Sequence, residues 1–265
     1  MTGGKRIALA LGSGGARGYA HIGVIAAVRE RGHEIVAISG SSMGALVGGL
    51  EAVGRLDPFT EWARGLTQRD VLRLVDLTLS GPGAMRAEKV LAKVDELLAG
   101  ARIEHLPIPY TAVATDVASR KAVWFQHGPV DIAIRASVAI PGLITPVLHN
   151  GRILADGGMV DPVPMEPITA ANADVTIGVS LTGMRTLAAL APTEQPPDMR
   201  PLDVLMLSLD TMFDLINRYR MASNPPDIAI TVPADACGTM DFHRAAELIE
   251  LGHKLTTTAL DNAGL

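Results

Sequence analysis

The pattern that most constrains the fold is a serine framed by glycines between an apolar run and a small-residue segment. Residues 38–46 read Ile-Ser-Gly-Ser-Ser-Met-Gly-Ala-Leu, with Gly40 and Gly44 two residues either side of Ser42. Such a spacing is typical of a sharp strand-to-helix turn that exposes a serine hydroxyl. It predicts a helix over residues 43–53, whose N-terminus favours negative charge beside the serine. A close-packed turn without chemistry has the same pattern, so the motif alone leaves both interpretations open.

A second glycine-rich turn comes earlier in the chain. An apolar run over residues 6–11 predicts a buried strand, residues 12–18 read Gly-Ser-Gly-Gly-Ala-Arg-Gly, and a helix is predicted over residues 19–31. The amides of such a junction form a cradle for an anion. A dinucleotide site would require an acidic residue at the end of the second strand. Residues 39–42 contain none, and Glu34 is at the wrong end. The sequence therefore favours an oxyanion hole.

Composition excludes several classes of function. The chain has 265 residues and a net charge of −5, which gives no reason to expect a nucleic-acid partner. Its one cysteine, Cys237, excludes an internal disulfide framework and a cysteine-based zinc cluster, and the seven histidines lack ligand spacing. We predict no metal and no cofactor. Neither a signal peptide nor an apolar run of about 18 residues is evident, so a cytoplasmic protein is expected, peripheral to a membrane at most.

The rest of the chain reads as helices and short strands with no internal repeat. Amphipathic helices are predicted over residues 55–100, interrupted by a turn at 80–83. The segments that follow are a hairpin (110–114 and 122–125), a helix (130–139), strands on either side of Asn150-Gly151, a strand (175–181), a Pro-rich excursion (191–201), a Met-rich helix (202–221), a strand (228–232) and a helix (242–260).

Two sets of apolar side chains have alternative uses. Core packing is favoured over an apolar substrate channel for Trp62, Leu66, Leu72, Leu74 and Leu77. The Met-rich stripe of residues 202–221 is likewise interpreted as core filling, with lipid contact as the minority interpretation.

Four sequence blocks together resemble the patatin-like phospholipases. They are residues 12–18 followed by His21-Ile22-Gly23-Val24, then 40–44, 136–142 (Ala-Ser-Val-Ala-Ile-Pro-Gly) and Asp156-Gly157-Gly158. Their order and spacing agree over residues 5 to about 182, and the small bacterial members are the most similar. The resemblance implies an α/β fold with three layers, in which helices cover both faces of a mixed central sheet. It also implies a single domain over residues 1–265, completed by residues 200–260.

The resemblance also implies a role for each matching residue. Ser42 falls on the family nucleophile and Asp156 on its base, while the amides of Gly14 and Gly15, with Ala16 as a further candidate, fall on the oxyanion hole. Arg17 falls on a basic position interpreted as an anchor of the loop. The supporting motif glycines are Gly12, Gly18, Gly40, Gly44, Gly157 and Gly158.

The implied activity is hydrolysis of acyl ester bonds in (lyso)phospholipids or related lipids. The sequence departs from the family pattern at Ser13, where glycine is common, and at Leu143-Ile144, where an aromatic residue is common, so the shape of the acyl pocket stays open. A carboxylate is a weaker base than imidazole, and we therefore expect Asp156 to be buried, with raised basicity.

Two alternatives remain. A Ser-His-Asp triad would use His243 or His253, which follow Asp156 in the chain. This triad belongs to the α/β-hydrolases, and an elbow after only two strands comes too early for the central-strand elbow of that fold. A non-catalytic module would use the glycine cradle to bind a phosphate or lipid headgroup, but the presence of both Ser42 and Asp156 argues against a decayed site.

Overall fold

The computed structural model describes residues 3–74, 76–77, 85–86, 88–184 and 201–265. The side chains of residues 72–88 and 201–203 are outside this description. The predicted turn at 80–83, the Pro-rich segment up to residue 200, and the side chains of Leu72, Leu74 and Leu77 therefore lie outside the described residues.

Within the described residues, strands and helices follow the predicted order except in the region 55–100, where two short strands (residues 76–77 and 85–86) occur in a segment that helical periodicity had assigned to helices and a turn. The strands are β1 (Arg6–Leu11), β2 (Glu34–Ser41), β3 (Asp76–Leu77), β4 (Met85–Arg86), β5 (Tyr110–Asp116), β6 (Lys121–Phe125), β7 (Val147–His149), β8 (Arg152–Asp156), β9 (Val175–Gly183) and β10 (Ile228–Pro233). The helices are α1 (Ala20–Glu30), α2 (Met43–Val53), α3 (Leu56–Arg64), α4 (Gln68–Leu74), α5 (Glu88–Leu98), α6 (Val130–Ser137), α7 (Pro201–Ser223) and α8 (Ala245–Ala263).

The predicted boundaries differ from the observed ones mainly at helix starts. The helix predicted from residue 19 is preceded by a 3-10 turn at Gly15–Tyr19, and α1 begins at Ala20. The helix predicted from residue 242 opens with a 3-10 turn at Phe242–Arg244. Both shifts follow loops whose backbone is held by tertiary contacts, which helical periodicity does not report.

The central sheet is mixed, in agreement with the predicted fold class. Five strands run parallel in the order β10-β9-β1-β2-β5. Strands β6 and β8 pair with β5 in the antiparallel sense, and β7 pairs antiparallel with β8. The carboxyl ends of the parallel strands meet at one edge, where a site in such a sheet is expected.

Both faces of the sheet are covered. The alternation along β1 shows this, since its large buried side chains point to one face and its small ones to the other. Ile7, Leu9 and Leu11 enter the main core, which also takes side chains from α1, α2 and α8. Ala8 and Ala10 face the other side, where the segment after β8 and the end of α7 pack. Their small side chains let the covering segments approach the sheet closely. None of the described helices is long and apolar enough to span a bilayer.

Candidate active site

The turn between β2 and α2 holds Ser42 in a strained conformation. Its φ of 55° and ψ of −122° lie in a region that non-glycine residues rarely adopt. The flanking glycines are required by close approach. A Cβ at Gly44 would overlap the carbonyl oxygen of Leu11, and one at Gly40 would overlap the carbonyl oxygen of Gly44. The local sequence therefore builds a tight elbow that ends β2 with a buried serine.

Strand pairing along β5 brings Asp156 to this elbow. On one edge of β5, strand β6 pairs with all of residues 112–116. The other edge is shared: β2 pairs up to Ser41, which lies opposite Val113, and β8 pairs from Asp156, which lies opposite Ala114. Strand β8 therefore occupies the part of this edge that lies beyond the end of β2, and it runs in the opposite direction. Asp156 at the end of β8 and Ser42 directly after β2 are thus brought next to each other.

The Asp156 carboxyl group lies in a dry environment, as the sequence predicts for a carboxylate base. The residue is 0% exposed, and its Oδ1 accepts hydrogen bonds from the Gly158 amide (2.7 Å) and the Ser13 hydroxyl (3.5 Å). Among the described residues, Oδ2 accepts no hydrogen bond with complete geometry. This leaves Oδ2 as the oxygen available for a further proton.

Burial raises the pKa of Asp156 to about 6. Three donors each lower this pKa by a smaller amount: the Ser42 hydroxyl, the Gly158 amide and the Ser13 hydroxyl. The hydroxyl of Ser42 is therefore close enough to lower the carboxyl pKa without meeting the full geometry of a hydrogen bond. Such contacts are often long in the absence of substrate. A carboxylate with this pKa is a stronger base than an exposed one and is still ionised at neutral pH.

The glycine-rich loop after β1 presents two unengaged amides. The amides of Gly14 and Gly15 donate to no other described residue, whereas the Ala16 amide donates to the carbonyl oxygen of Thr239 at 2.9 Å. The structure therefore does not support the expectation that Ala16 contributes a donor. Gly15 has a φ of +57°, and a Cβ there would lie 2.5 Å from the Thr239 carbonyl oxygen. Only glycine fits this part of the loop.

A buried arginine holds the shape of the loop. Arg17 donates from Nε to the Gly14 carbonyl oxygen (3.2 Å), from Nη1 to the Ala234 carbonyl oxygen (3.0 Å), and from Nη2 to Asp210 of α7 (2.6 Å). These contacts fix the orientation of the Gly14 carbonyl. His21 adds a hydrogen bond from Nε2 to the Gly12 carbonyl oxygen (2.8 Å), and burial lowers its pKa to about 4, so its ring is neutral.

Sequence reasoning missed the part played by Ser137. The buried Ser137 hydroxyl accepts from the Ser42 amide (2.8 Å) and donates to the Val113 carbonyl oxygen (2.6 Å). Two residues later, the Ala139 carbonyl accepts from the Asp156 amide (2.9 Å). The end of α6 and the residues directly after it thus hold the backbone of both Ser42 and Asp156. Residues 136–142 were recognised as a motif in the sequence, but nothing in that stretch indicates which residues Ser137 contacts.

Ser137→Ala is expected to lower kcat about tenfold or more with little change in KM. The change leaves the Ser42 amide unpaired and loosens the strained turn, and small misplacements of a reacting group are costly. Steady-state kinetics on a soluble ester measure both constants. Ser137→Thr, which retains a hydroxyl, is the matched variant and should recover part of the loss. Equal kcat values for Ser137→Ala and the wild type would contradict this positioning role.

An apolar cavity of about 100 Å³ opens onto Ser42. Trp62 and Leu66 line it. Trp62 also packs against the main core, so the preference for core packing holds for this residue but does not account for its place in the cavity wall. Helical periodicity cannot separate a core from an apolar pocket, since both select the same side chains. Leu143 and Ile144 also line the cavity, as does Phe242 from the segment after β10, which no sequence motif had marked.

The histidines of the described residues do not complete a triad. His253 pairs with Glu30 (2.7 Å) on the side of α8 that faces α1, and His243 lies in the 3-10 turn before α8. None of the described histidines hydrogen-bonds to Asp156 or Ser42. In the same part of the chain, no group of three His, Cys, Asp or Glu side chains is arranged to hold a metal ion.

The family model Patatin-like phospholipase matches residues 9–169, and the chain belongs to that family. This membership defines the class: the protein is a lipid acyl hydrolase.

Relatives and a solved structure extend the comparison over most of the chain. A Mycobacterium tuberculosis (strain ATCC 25618 / H37Rv) protein named as an uncharacterized NTE family protein is 43% identical, covering 97% of this chain and 91% of its own. Lysophospholipase NTE1 of Coccidioides immitis (strain RS) is 27% identical over 97% of this chain, which matches only 18% of that protein. VipD from Legionella pneumophila superposes with a TM-score of 0.50 at 16% identity, covering 98% of this chain and 67% of that chain. The last likeness concerns the fold alone.

Proposed function

We propose that the protein hydrolyses acyl ester bonds of (lyso)phospholipids or related lipids through a Ser42–Asp156 dyad. The observation that carries the proposal is that the apolar cavity opens onto Ser42. The strand before Ser42, β2, ends beside the buried Asp156. Lysophospholipids are the first substrate class to test, because the cavity is small, about 100 Å³, and the fungal relatives carry the name lysophospholipase. The proposal includes a cytoplasmic location and peripheral contact with a membrane.

The reaction is an acyl transfer in two steps. Asp156 Oδ2 accepts the proton of the Ser42 hydroxyl as its oxygen attacks the ester carbonyl, and the Gly14 and Gly15 amides stabilise the resulting oxyanion. Collapse of the tetrahedral intermediate releases the alcohol, which takes the proton from Asp156. Water then attacks the acyl-enzyme with Asp156 again as base, and Asp156 returns the proton to the Ser42 oxygen as the fatty acid leaves.

The pH dependence should report the Asp156 carboxyl group. Only the ionised carboxylate can accept the Ser42 proton, so kcat/KM on a soluble ester should rise as the pH increases through about 6 and then level off. Burial also raises the pKa of Asp161, which pairs with Arg220, to about 6. Asp161→Asn is therefore the control, and its profile should keep the step near pH 6. A profile that stays flat from pH 7 to pH 5 would contradict Asp156 as the base.

Covalent labelling combined with product analysis tests the proposal. A fluorophosphonate should form one adduct, located on Ser42 by mass spectrometry, and a panel of phospholipids and lysophospholipids should yield free fatty acid with the wild type but not with Ser42→Ala. Hydrolysis that persists in Ser42→Ala, or an adduct on another serine, would refute it. A folded protein that binds lipid without turnover would favour the non-catalytic module.

A further inference from the structure

Helix α7 carries an exposed apolar stripe that the catalytic proposal does not use. At about 100° per residue, Val204, Leu205, Ser208, Met212, Leu215 and Tyr219 fall on one face of the helix. The five hydrophobic members are between 39% and 70% exposed. The charged residues between 204 and 223 lie outside this sector: they are Asp210, Asp214, Arg218 and Arg220. We call these six residues the α7 stripe.

We propose that the α7 stripe docks the enzyme on a lipid surface of zwitterionic headgroups, beside the entrance to the acyl cavity. This inference rests on the proposed function, because it states that the enzyme binds its lipid substrate at a lipid surface. A lipid surface is the natural source of a substrate whose acyl chain must enter an apolar cavity, and interfacial helices lie with an apolar face buried in the headgroup region.

The stripe is continuous with the rim of the cavity. Leu205 packs against the loop at Gly142, where a Cβ would lie 3.0 Å from Leu205 Cδ2. The next residue, Met206, packs with Leu143, and Leu143 lines the cavity. The first turns of α7 are therefore joined to the cavity wall by contacts between apolar side chains.

The opposite side of α7 is anchored, so the stripe is held facing outward. Asp210 pairs with the buried Arg17 (2.6 Å), and Arg220 pairs with Asp161 (2.7 Å). Phe213, between these two anchors, is buried. Turning α7 about its axis so that the stripe faces the sheet would require both ion pairs to break. Because Arg17 also contacts the glycine loop, the docking helix and the proposed oxyanion hole form one connected unit.

The dimensions and charge of the stripe favour lipid over a second copy of the chain. From Val204 to Tyr219 the helix rises about 22 Å, and a face about 10 Å wide offers roughly 220 Å². A stable protein interface buries about 800 Å² per partner. The stripe carries no charge, and the net charge of −5 would be repelled by an anionic surface. A zwitterionic surface fits both facts.

Flotation with phosphatidylcholine vesicles tests the proposal. The wild type should float with the vesicles, and Met212→Glu/Leu215→Glu should reduce bound protein about tenfold or more, because two charges would enter the apolar layer. Leu148→Glu/Leu207→Glu is the matched control: it adds the same charge at two exposed leucines outside the stripe. It should bind like the wild type. All three proteins should hydrolyse a soluble p-nitrophenyl ester equally, while the stripe variant loses activity on vesicle lipid.

The two proposals fail in different ways. Equal flotation of the stripe variant and the wild type, or a wild type that hydrolyses the soluble ester without binding vesicles, overturns the docking surface and leaves the proposed function standing. A wild-type dimer that the stripe substitutions dissociate, without any effect on vesicle binding, assigns the stripe to a second copy and also overturns it. Vesicle binding without hydrolysis of any ester refutes the proposed function, and flotation of the variants then decides the docking surface.

Discussion

Asp156→Asn is expected to abolish ester hydrolysis as severely as Ser42→Ala, with a loss on the order of 10⁴-fold or more in kcat. Asparagine preserves the shape of the side chain and its contact with the Gly158 amide, but it cannot accept the serine proton. The double variant should lose little more than either single one, because groups that act as one unit are not additive. Single-turnover and steady-state kinetics on a soluble ester measure these effects in protein whose fold is checked by circular dichroism.

Histidine substitutions provide the controls for this experiment. His253→Gln removes a ring that pairs with Glu30, and His243→Gln changes a residue in the turn before α8. Both variants should retain most of the activity. A folded histidine variant that falls to the Ser42→Ala level would replace the dyad with a triad, and an active Asp156→Asn would show that another group takes the proton.

Gly15→Ala is expected to lower kcat by about 10²–10³, the effect of losing one oxyanion donor. The new Cβ would lie 2.5 Å from the Thr239 carbonyl oxygen, so the loop must move and its amide must turn away from the reacting carbonyl. The loss of kcat is measured by steady-state kinetics and by fluorophosphonate labelling of Ser42.

Gly32→Ala is the matched control for backbone strain. Gly32 has a φ of +73°, comparable to the +57° of Gly15, but a Cβ there meets nothing within 4 Å. Both variants carry the cost of an alanine with positive φ, about 1–2 kcal/mol, and only Gly15→Ala should lose kcat. If Gly15→Ala folds and keeps full kcat, the loop has another purpose, and the headgroup-binding module becomes the better interpretation.

The sequence by itself determined the parts of the protein that depend on local pattern. The glycine spacing around Ser42 predicted the elbow and the start of α2, because a tight turn restricts its neighbours to small residues. Apolar runs and Asn-Gly signals located β1 and the β7–β8 pair, since period and turn chemistry are local properties. The role of Asp156 came from the family resemblance alone. The single-domain organisation remains a prediction.

Only the tertiary structure decided how these parts meet. The approach of Asp156 to Ser42 depends on β2 and β8 sharing one edge of β5, and Ser137 reaches the Ser42 amide across 95 positions of sequence. The engagement of the Ala16 amide by Thr239, and the use of Trp62 as cavity wall, likewise depend on distant segments. Hydrogen-bond partners and empty space are set by how separate elements pack, and neither residue type nor periodicity records that arrangement.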